Sequence, residues 1–157
     1  MQRDPVSAWI ALGANLGDAR AAVRWALARL DMLPGTRVRK ASSLYRSAPV
    51  QAQGPDFINA VAEIATACDA MTLLAHLQAL EAEAGRERPY MNAPRTLDLD
   101  LLFYGDAHIA SPTLTVPHPR WDQRAFVLLP LQEIAPQRVS AALLVSVADQ
   151  RIERLTD

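Results

Sequence analysis

Between Leu97 and Tyr104 the chain reads LDLDLLFY, an apolar run that carries two acids, Asp98 and Asp100. Alternation at every second residue is the period of a β-strand. Leu97, Leu99, Leu101 and Phe103 are therefore expected on one face, and Asp98, Asp100, Leu102 and Tyr104 on the other. Both carboxylates then share a face, roughly 7 Å apart, near enough to converge on one cation or on two neighbouring ones. Two solvated acids on an exposed strand would give the same pattern. Like charges this close repel, however, and raise one pKa unless something positive lies between them. The surrounding residues must decide.

The rest of the chain supplies a frame for that strand. Val6 to Leu12 reads as a buried strand, and GANLGD (13–18) as a tight turn into a helix. Val23, Ala26, Leu27 and Leu30 recur at helical spacing, and Pro34-Gly35 stops the helix. Thr36 to Arg46 reads as a second strand, followed by an ordered but irregular loop, SAPVQAQGPD (47–56). From Phe57 to Ala65 alternation resumes, with Ile58, Ala60, Ala62 and Ile64 on one face and Phe57, Asn59, Val61 and Glu63 on the other. Asp69 is placed to cap a second helix with an apolar stripe of Leu73, Leu74, Leu77 and Leu80, stopped at Gly85. The segment RERPYMNAPR (86–95) is basic and broken by proline, and the aspartate strand follows it.

The order β-α-β-β-α-β is the split pattern of ferredoxin-like α+β folds. It predicts an antiparallel sheet with both helices on one face and the other face open to ligands. Beyond it lies a C-terminal extension. A short helix is expected near Trp121 to Gln123, an apolar segment from Phe126 to Leu131, and a short outer helix between Val139 and Leu155. Residues 1–157 read as one domain, a size at which a single core stands alone.

A formal net charge of −1 exerts no global pull toward nucleic acid or an anionic membrane, so any anion site must be local. A ferredoxin-like RNA-binding module is disfavoured by that charge, by 6% aromatic content and by acids on the sheet face. The single cysteine, Cys68, permits no internal disulfide and suits a reducing cytoplasm. The N-terminal residues contain neither a signal-peptide pattern nor a membrane span.

Three arginines, Arg86, Arg88 and Arg95, directly precede the two aspartates, and His118 and Arg124 follow them. Paired carboxylates whose metal shell is completed by phosphate oxygens, flanked by guanidinium forks that grip phosphates, are hardware for Mg²⁺-assisted phosphoryl transfer. Calcium would need more oxygen ligands, and zinc is disfavoured because Cys68 is remote and the histidines lack ligand spacing. No GxxxxGK[ST] occurs, and GANLGD lacks GxGxxG spacing, so its small residues are read as a structural turn. His76 and His108 belong to no constellation.

GANLGD, LYRSAPV, PDFINAV, LEAEAGRER, PRTLDLDLLFYG and TVPHPRWDQRAFVLLPLQEIAP occur in an order and spacing that resembles the 6-hydroxymethyl-7,8-dihydropterin pyrophosphokinase family of folate biosynthesis, from about Trp9 to Pro136. The resemblance implies pyrophosphoryl transfer from ATP to the pterin hydroxymethyl group, giving AMP, on a ferredoxin-like fold with two Mg²⁺ ions. Asp98 and Asp100 fall on the family's metal-binding positions and Arg86 and Arg95 on its catalytic-loop arginines. Gln78, Glu81, Arg88, Thr115, His118 and Arg124 fall on ATP-site positions, and Ser47, Ala48, Val50, Phe57, Asn59 and Phe126 on the pterin pocket. A flat pterin wants aromatic faces and a few edge donors and acceptors, which Phe57, Phe126 and Asn59 are suited to give. Asn92-Ala93 stands where family members usually carry Trp-Gly, in a loop whose tryptophan would help cover the substrates. A monomer with small-molecule partners is expected, and a diverged relative with weak or altered activity is the alternative.

Overall fold

The computed structural model describes residues 4–49, 54–85 and 97–156. Strand β1 (Val6–Ala14) leads into helix α1 (Ala19–Leu30), whose free N–H of Ala21 is capped by the Asp18 carboxylate at 3.0 Å. Short strands β2 (Thr36–Ala41) and β3 (Tyr45–Ser47) follow, then the long β4 (Phe57–Thr66). Helix α2 (Ala70–Gly85) starts where Asp69 accepts from the Thr72 N–H at 2.8 Å, as its position predicts. Strand β5 (Asp98–Tyr104) carries the two aspartates.

These strands pair antiparallel in the order β5-β1-β4-β3, with β2 pairing the far end of β4. The expected strand over Thr36–Arg46 is two pieces. At Ser42 the backbone N–H donates to the Val61 carbonyl while the Ser42 hydroxyl, not a carbonyl, accepts the Val61 N–H at 2.9 Å. A side chain has replaced a ladder partner there, and β3 restarts at Tyr45 opposite Asn59.

Apolar burial, worth about 1.5–3 kcal/mol for each large side chain, is split between two sides of the sheet. On one side Val23, Ala26 and Leu30 of α1 and Leu73, Leu77 and Leu80 of α2 pack on Ile10, Leu12, Ala60, Ile64, Leu99 and Leu101. The other side, expected to be open, is not. Phe126–Leu131 lies within helix α3 (Ala125–Ile134), whose Val127, Leu128, Leu131 and Ile134 cluster with Trp9, Ala11, Val61, Leu102 and Phe103. The guanidinium of Arg138 lies 4.1 Å from the Trp9 ring and 4.4 Å from the Phe103 ring, closing that cluster. The helices therefore occupy both faces.

After β5 a two-stranded ribbon, β6 (Ile109–Ala110) with β7 (Thr115–Val116), precedes a 3₁₀ turn at Trp121–Gln123, α3 and the short helix α4 (Ala141–Ser146). The short helix expected between Val139 and Leu155 is α4, but it spans only Ala141–Ser146, and a strand follows it. Strand β8 (Ile152–Arg154) joins the main sheet beside β3.

The face assignment of β5 also needs one correction. Its register with β1 shifts between Trp9, opposite Phe103, and Ile10, opposite Leu101, so Leu102 is an inserted residue. Leu102 and Phe103 both join the α3-side cluster, and Tyr104 returns to the α1/α2 side, where its hydroxyl donates to the Cys68 carbonyl. Strict alternation had put Phe103 and Tyr104 the other way round. The bulge lies downstream of the aspartates and leaves their shared face intact.

Candidate active site

Helix α3 leaves uncovered the end of the sheet where β1 finishes and β4 and β5 begin. Across that end the ladder aligns Asp98 with Gly13 and Gly13 with Asn59, and two residues further in Asp100 stands opposite Ala11. Gly13 has no side chain to fill the space between the carboxylate and the amide. A Cβ there would sit 3.1 Å from Asn59 Nδ2 and 3.9 Å from the Phe57 ring. The result is a cleft of 440 Å³ whose floor is Ala11, Gly13 and Asn59 and whose walls include Phe57, Phe126, Ala48 and Pro49.

Asn59 is buried, and its amide is held from behind: the Ser47 hydroxyl donates to Asn59 Oδ1 at 2.6 Å. That bond leaves the amide nitrogen on the side facing Gly13. A planar ring entering the cleft meets aromatic surface and an oriented amide donor, with Asp98 and Asp100 at the other edge.

Asp100 is half-buried and also lines a second cleft of 280 Å³ with Thr115, His118, Leu99 and Leu101. His118 donates its backbone N–H to the Leu102 carbonyl at 2.9 Å and accepts the Arg120 N–H on Nδ1 at 3.1 Å, which places the ring proton on Nε2. Burial lowers the His118 pKa. Asp100 pulls it up, Arg124 and Arg120 push it down, and the net direction is downward. The imidazole is accordingly neutral at pH 7 and presents a donor.

Arg124 and Arg120 line the first cleft and a third cavity of 510 Å³ behind Ala48, Pro49 and Phe126, where Arg151 joins them. No acidic side chain among the described residues lines that cavity. The Arg124 guanidinium stands 5.3 Å from the Phe126 ring, an arrangement that fixes both groups at the cleft edge.

The site thus gathers Asp98, Asp100, Ala48, Phe57, Asn59, Phe126 and Arg124 around the first cleft, Ser47 behind it, and Thr115 and His118 around the second. Gln78 is exposed on α2 and lines none of the three cavities. Glu81 lines none either: its carboxylate accepts the Leu99 backbone N–H at 2.8 Å. Arg86, Arg88, Arg95 and Val50 lie outside the described residues. Sequence reasoning passed over Gly13, Asn15, Pro49 and Arg120, which line the first cleft, and Gln150 in the third cavity. Gly13 was absorbed into the turn after it, although it belongs to β1. Arg120 had a signal, since it lies between His118 and Arg124 in the same basic segment.

The carboxylates suit one kind of metal. Among the described residues no three His, Cys, Asp or Glu side chains cluster, so no all-protein cage exists. Mg²⁺ is the cation that keeps several waters and binds through one or two carboxylates plus substrate phosphates.

A mixed α+β sheet protein with paired carboxylates between an aromatic cleft and basic groups belongs to the class of phosphoryl-transfer enzymes in its chemistry. Comparison with known proteins is more specific. A model of the family described as 7,8-dihydro-6-hydroxymethylpterin-pyrophosphokinase matches residues 9–136. A 2-amino-4-hydroxy-6-hydroxymethyldihydropteridine pyrophosphokinase of Pseudomonas aeruginosa is 42% identical over 154 residues, covering 94% of this chain and 95% of its own. Proteins with the same description from Bacillus subtilis (43% over 134 residues; 83% of this chain, 78% of theirs) and Synechocystis (42% over 130; 83% and 67%) are also similar. Among solved structures, "Crystal Structure Analysis of the HPPK-DHPS in complex with substrates" shares the fold with a TM-score of 0.71 at 11% identity. It covers 93% of this chain, which spans 43% of that longer one. The chain belongs to the 7,8-dihydro-6-hydroxymethylpterin-pyrophosphokinase family.

Proposed function

We propose that the chain transfers the pyrophosphoryl group of ATP to the hydroxymethyl oxygen of 6-hydroxymethyl-7,8-dihydropterin, releasing AMP, a step of folate biosynthesis. The observation that carries this reading is the position of Asp100, shared by the aromatic, amide-floored cleft and the His118 cleft. A carboxylate in that place stands between a flat acceptor on one side and a phosphate chain on the other. The strand order and the pairing of two helices on one side of the sheet support a ferredoxin-like core, with the residues after Gly105 as its extension.

In this reading Phe57 and Phe126 stack on the pterin and Asn59 donates to its edge. Ser47 holds the Asn59 amide, while Ala48 and Pro49 form the wall; Val50 is proposed as a further pterin contact. Thr115, His118 and Arg124 receive ATP, joined by Arg88, and the neutral His118 offers a hydrogen bond without adding charge. Asp98 and Asp100 hold Mg²⁺, two ions in the fuller version of the proposal. Mg²⁺ held by these two carboxylates would supply charge neutralisation for the phosphate oxygens of ATP.

The acceptor hydroxyl oxygen forms a bond to Pβ as the bond from Pβ to the α–β bridging oxygen breaks. AMP departs with that oxygen, and the hydroxyl proton passes to solvent. Arg86 and Arg95 offset the charge that develops between Pα and Pβ. No strong general base lies at the described part of the cleft, so positioning and electrostatics supply most of the acceleration.

The described residues that line both clefts come from one chain, in keeping with a monomer. No helix of the described residues is long and apolar enough to cross a membrane, and the single cysteine fits the cytoplasm. The test is to incubate the protein with ATP, Mg²⁺ and the hydroxymethyl pterin and to resolve nucleotides by chromatography. AMP and a pterin diphosphate are expected in equal amounts. Formation of ADP instead, or no AMP above the protein-free blank, would overturn the proposal.

A further inference from the structure

The segment between α4 and β8 carries no motif, yet it holds the turn that aims Arg124. Gln150 donates from Nε2 to the Gln123 carbonyl at 2.9 Å and accepts the Ala125 backbone N–H on Oε1 at 2.8 Å. These two groups belong to consecutive peptide units, one on either side of the Arg124 Cα. A single side-chain amide thus pins both peptide planes whose orientation defines φ and ψ of Arg124, here −127° and 120°.

The local chain gives those groups no other described partner. Ala125 opens α3, so its N–H is one of the helix's unsatisfied N-terminal donors, and no side chain of the preceding residue caps the helix. The clamp is itself anchored. Gln150 donates its backbone N–H to the Val147 carbonyl at 3.0 Å, and the Arg151 carbonyl next to it accepts from Ala48 at 3.3 Å. The register of β8 places Ile152 opposite Ser47. One short stretch therefore holds the start of the loop on one wall of the cleft and Arg124–Phe126 on the other.

We infer that Gln150 is a positioning residue for the transfer reaction, acting through Arg124, an inference that rests on Arg124 serving the ATP site. The leverage is geometric. A guanidinium lies roughly 6 Å from its Cα, so a 20° change in the backbone at Arg124 moves it by about 2 Å. Misplacement on that scale is enough to lower turnover strongly in a reaction driven by orientation and charge. Glutamine suits the role because it carries a donor and an acceptor on one planar group; glutamate offers acceptors only.

The test compares kcat and KM for ATP and for the pterin in wild type, Gln150→Ala, Gln150→Glu, Arg124→Ala and the double variant Arg124→Ala/Gln150→Ala. Gln150→Ala is expected to lose about tenfold in kcat/KM. Gln150→Glu keeps the acceptor for the Ala125 N–H but sets a carboxylate oxygen against the Gln123 carbonyl, so it too should lose kcat/KM measurably. The double variant should be no worse than Arg124→Ala alone, because the clamp acts through that residue. Wild-type kcat/KM in Gln150→Ala, or losses that multiply in the double variant, would overturn the inference. If Gln150→Ala does not fold, Gln150→Glu carries the test, and wild-type kinetics there are the overturning result. An Arg124→Ala variant with unchanged kinetics would remove the assignment of Arg124 and the inference with it. An impaired Arg124→Ala beside an unimpaired Gln150→Ala would remove the inference alone.

Discussion

The carboxylate of Glu81 accepts the backbone N–H of Leu99 at 2.8 Å, and Leu99 is the residue between Asp98 and Asp100. Strand β5 is the edge of the sheet on this side, so an N–H pointing away from β1 has no strand to pair with. Helix α2 supplies the missing acceptor, which ties the strand that carries the two aspartates to the helix beneath it.

Replacing Glu81 by alanine is expected to cost about 1–3 kcal/mol of stability, the penalty of leaving a partly buried donor unsatisfied. Glu81→Gln retains a carbonyl acceptor and should recover most of it. Urea unfolding of the three proteins decides the point, and an alanine variant as stable as wild type would refute the tie.

If Asp98 and Asp100 anchor the metal as proposed, Asp98→Ala and Asp100→Asn should each lower kcat by at least about 100-fold at saturating Mg²⁺. Asp100 lines both clefts and Asp98 only the first, so the Asp100 variant should also weaken ATP binding measured by calorimetry with Mg²⁺. Either variant keeping a tenth of wild-type kcat would contradict the metal assignment.

Gly13→Ala puts a methyl group 3.1 Å from Asn59 Nδ2, tighter than ordinary van der Waals contact. The Asn59 amide must shift and strain its bond to Ser47. The expected outcome is a KM for the pterin raised on the order of tenfold, the effect of about 1.4 kcal/mol, with KM for ATP little changed. Steady-state kinetics with each substrate varied in turn will show whether the effect divides this way.

Glu133 of α3 accepts from the Ser43 N–H at 3.0 Å, the Ser43 hydroxyl and the Tyr45 hydroxyl at 2.8 Å, and pairs with Arg154 at 3.3 Å. Burial pushes its pKa up. The bonds from Tyr45 and Ser43 and the Arg154 charge outweigh that and leave it below the usual carboxylate value. A depressed folded pKa means that this stabilisation is present above the unfolded value of about 4.3 and is lost as pH falls through the lower folded value. Wild type should therefore lose stability on acidification across that interval more steeply than Glu133→Gln. Parallel urea midpoints from pH 6 to pH 3 would count against the linkage. Tyr45, whose pKa is raised by burial first and by its bond to Glu133 second, gives the opposite dependence at the alkaline end.

Much of the frame was readable because it rests on local period and local chemistry. The stripes Val23–Ala26–Leu30 and Leu73–Leu77–Leu80, the cap at Asp69 and the shared face of Asp98 and Asp100 all follow from residue spacing along one element. What spacing left unread depends on partners distant in the chain. The exchange of Phe103 and Tyr104 between faces comes from the register shift against Trp9 and Ile10. The split of β2 from β3 comes from Ser42 reaching Val61. The covering of the second face comes from α3, whose segment is apolar but gives no sign of where it docks.

For the site, the sequence by itself determined the chemical parts: two carboxylates held on one face by a period of two, a basic segment on either side, aromatic groups and an amide. Only the tertiary structure decided their mutual arrangement. It put Gly13 between Asp98 and Asn59, set Asp100 between two clefts, gave Glu81 a backbone partner, and brought Gln150 back to Arg124. The physical reason is that a residue's facing within one element is set by its immediate neighbours. Which groups meet across elements is set by strand register and long-range hydrogen bonds, and these leave no periodic mark in the chain.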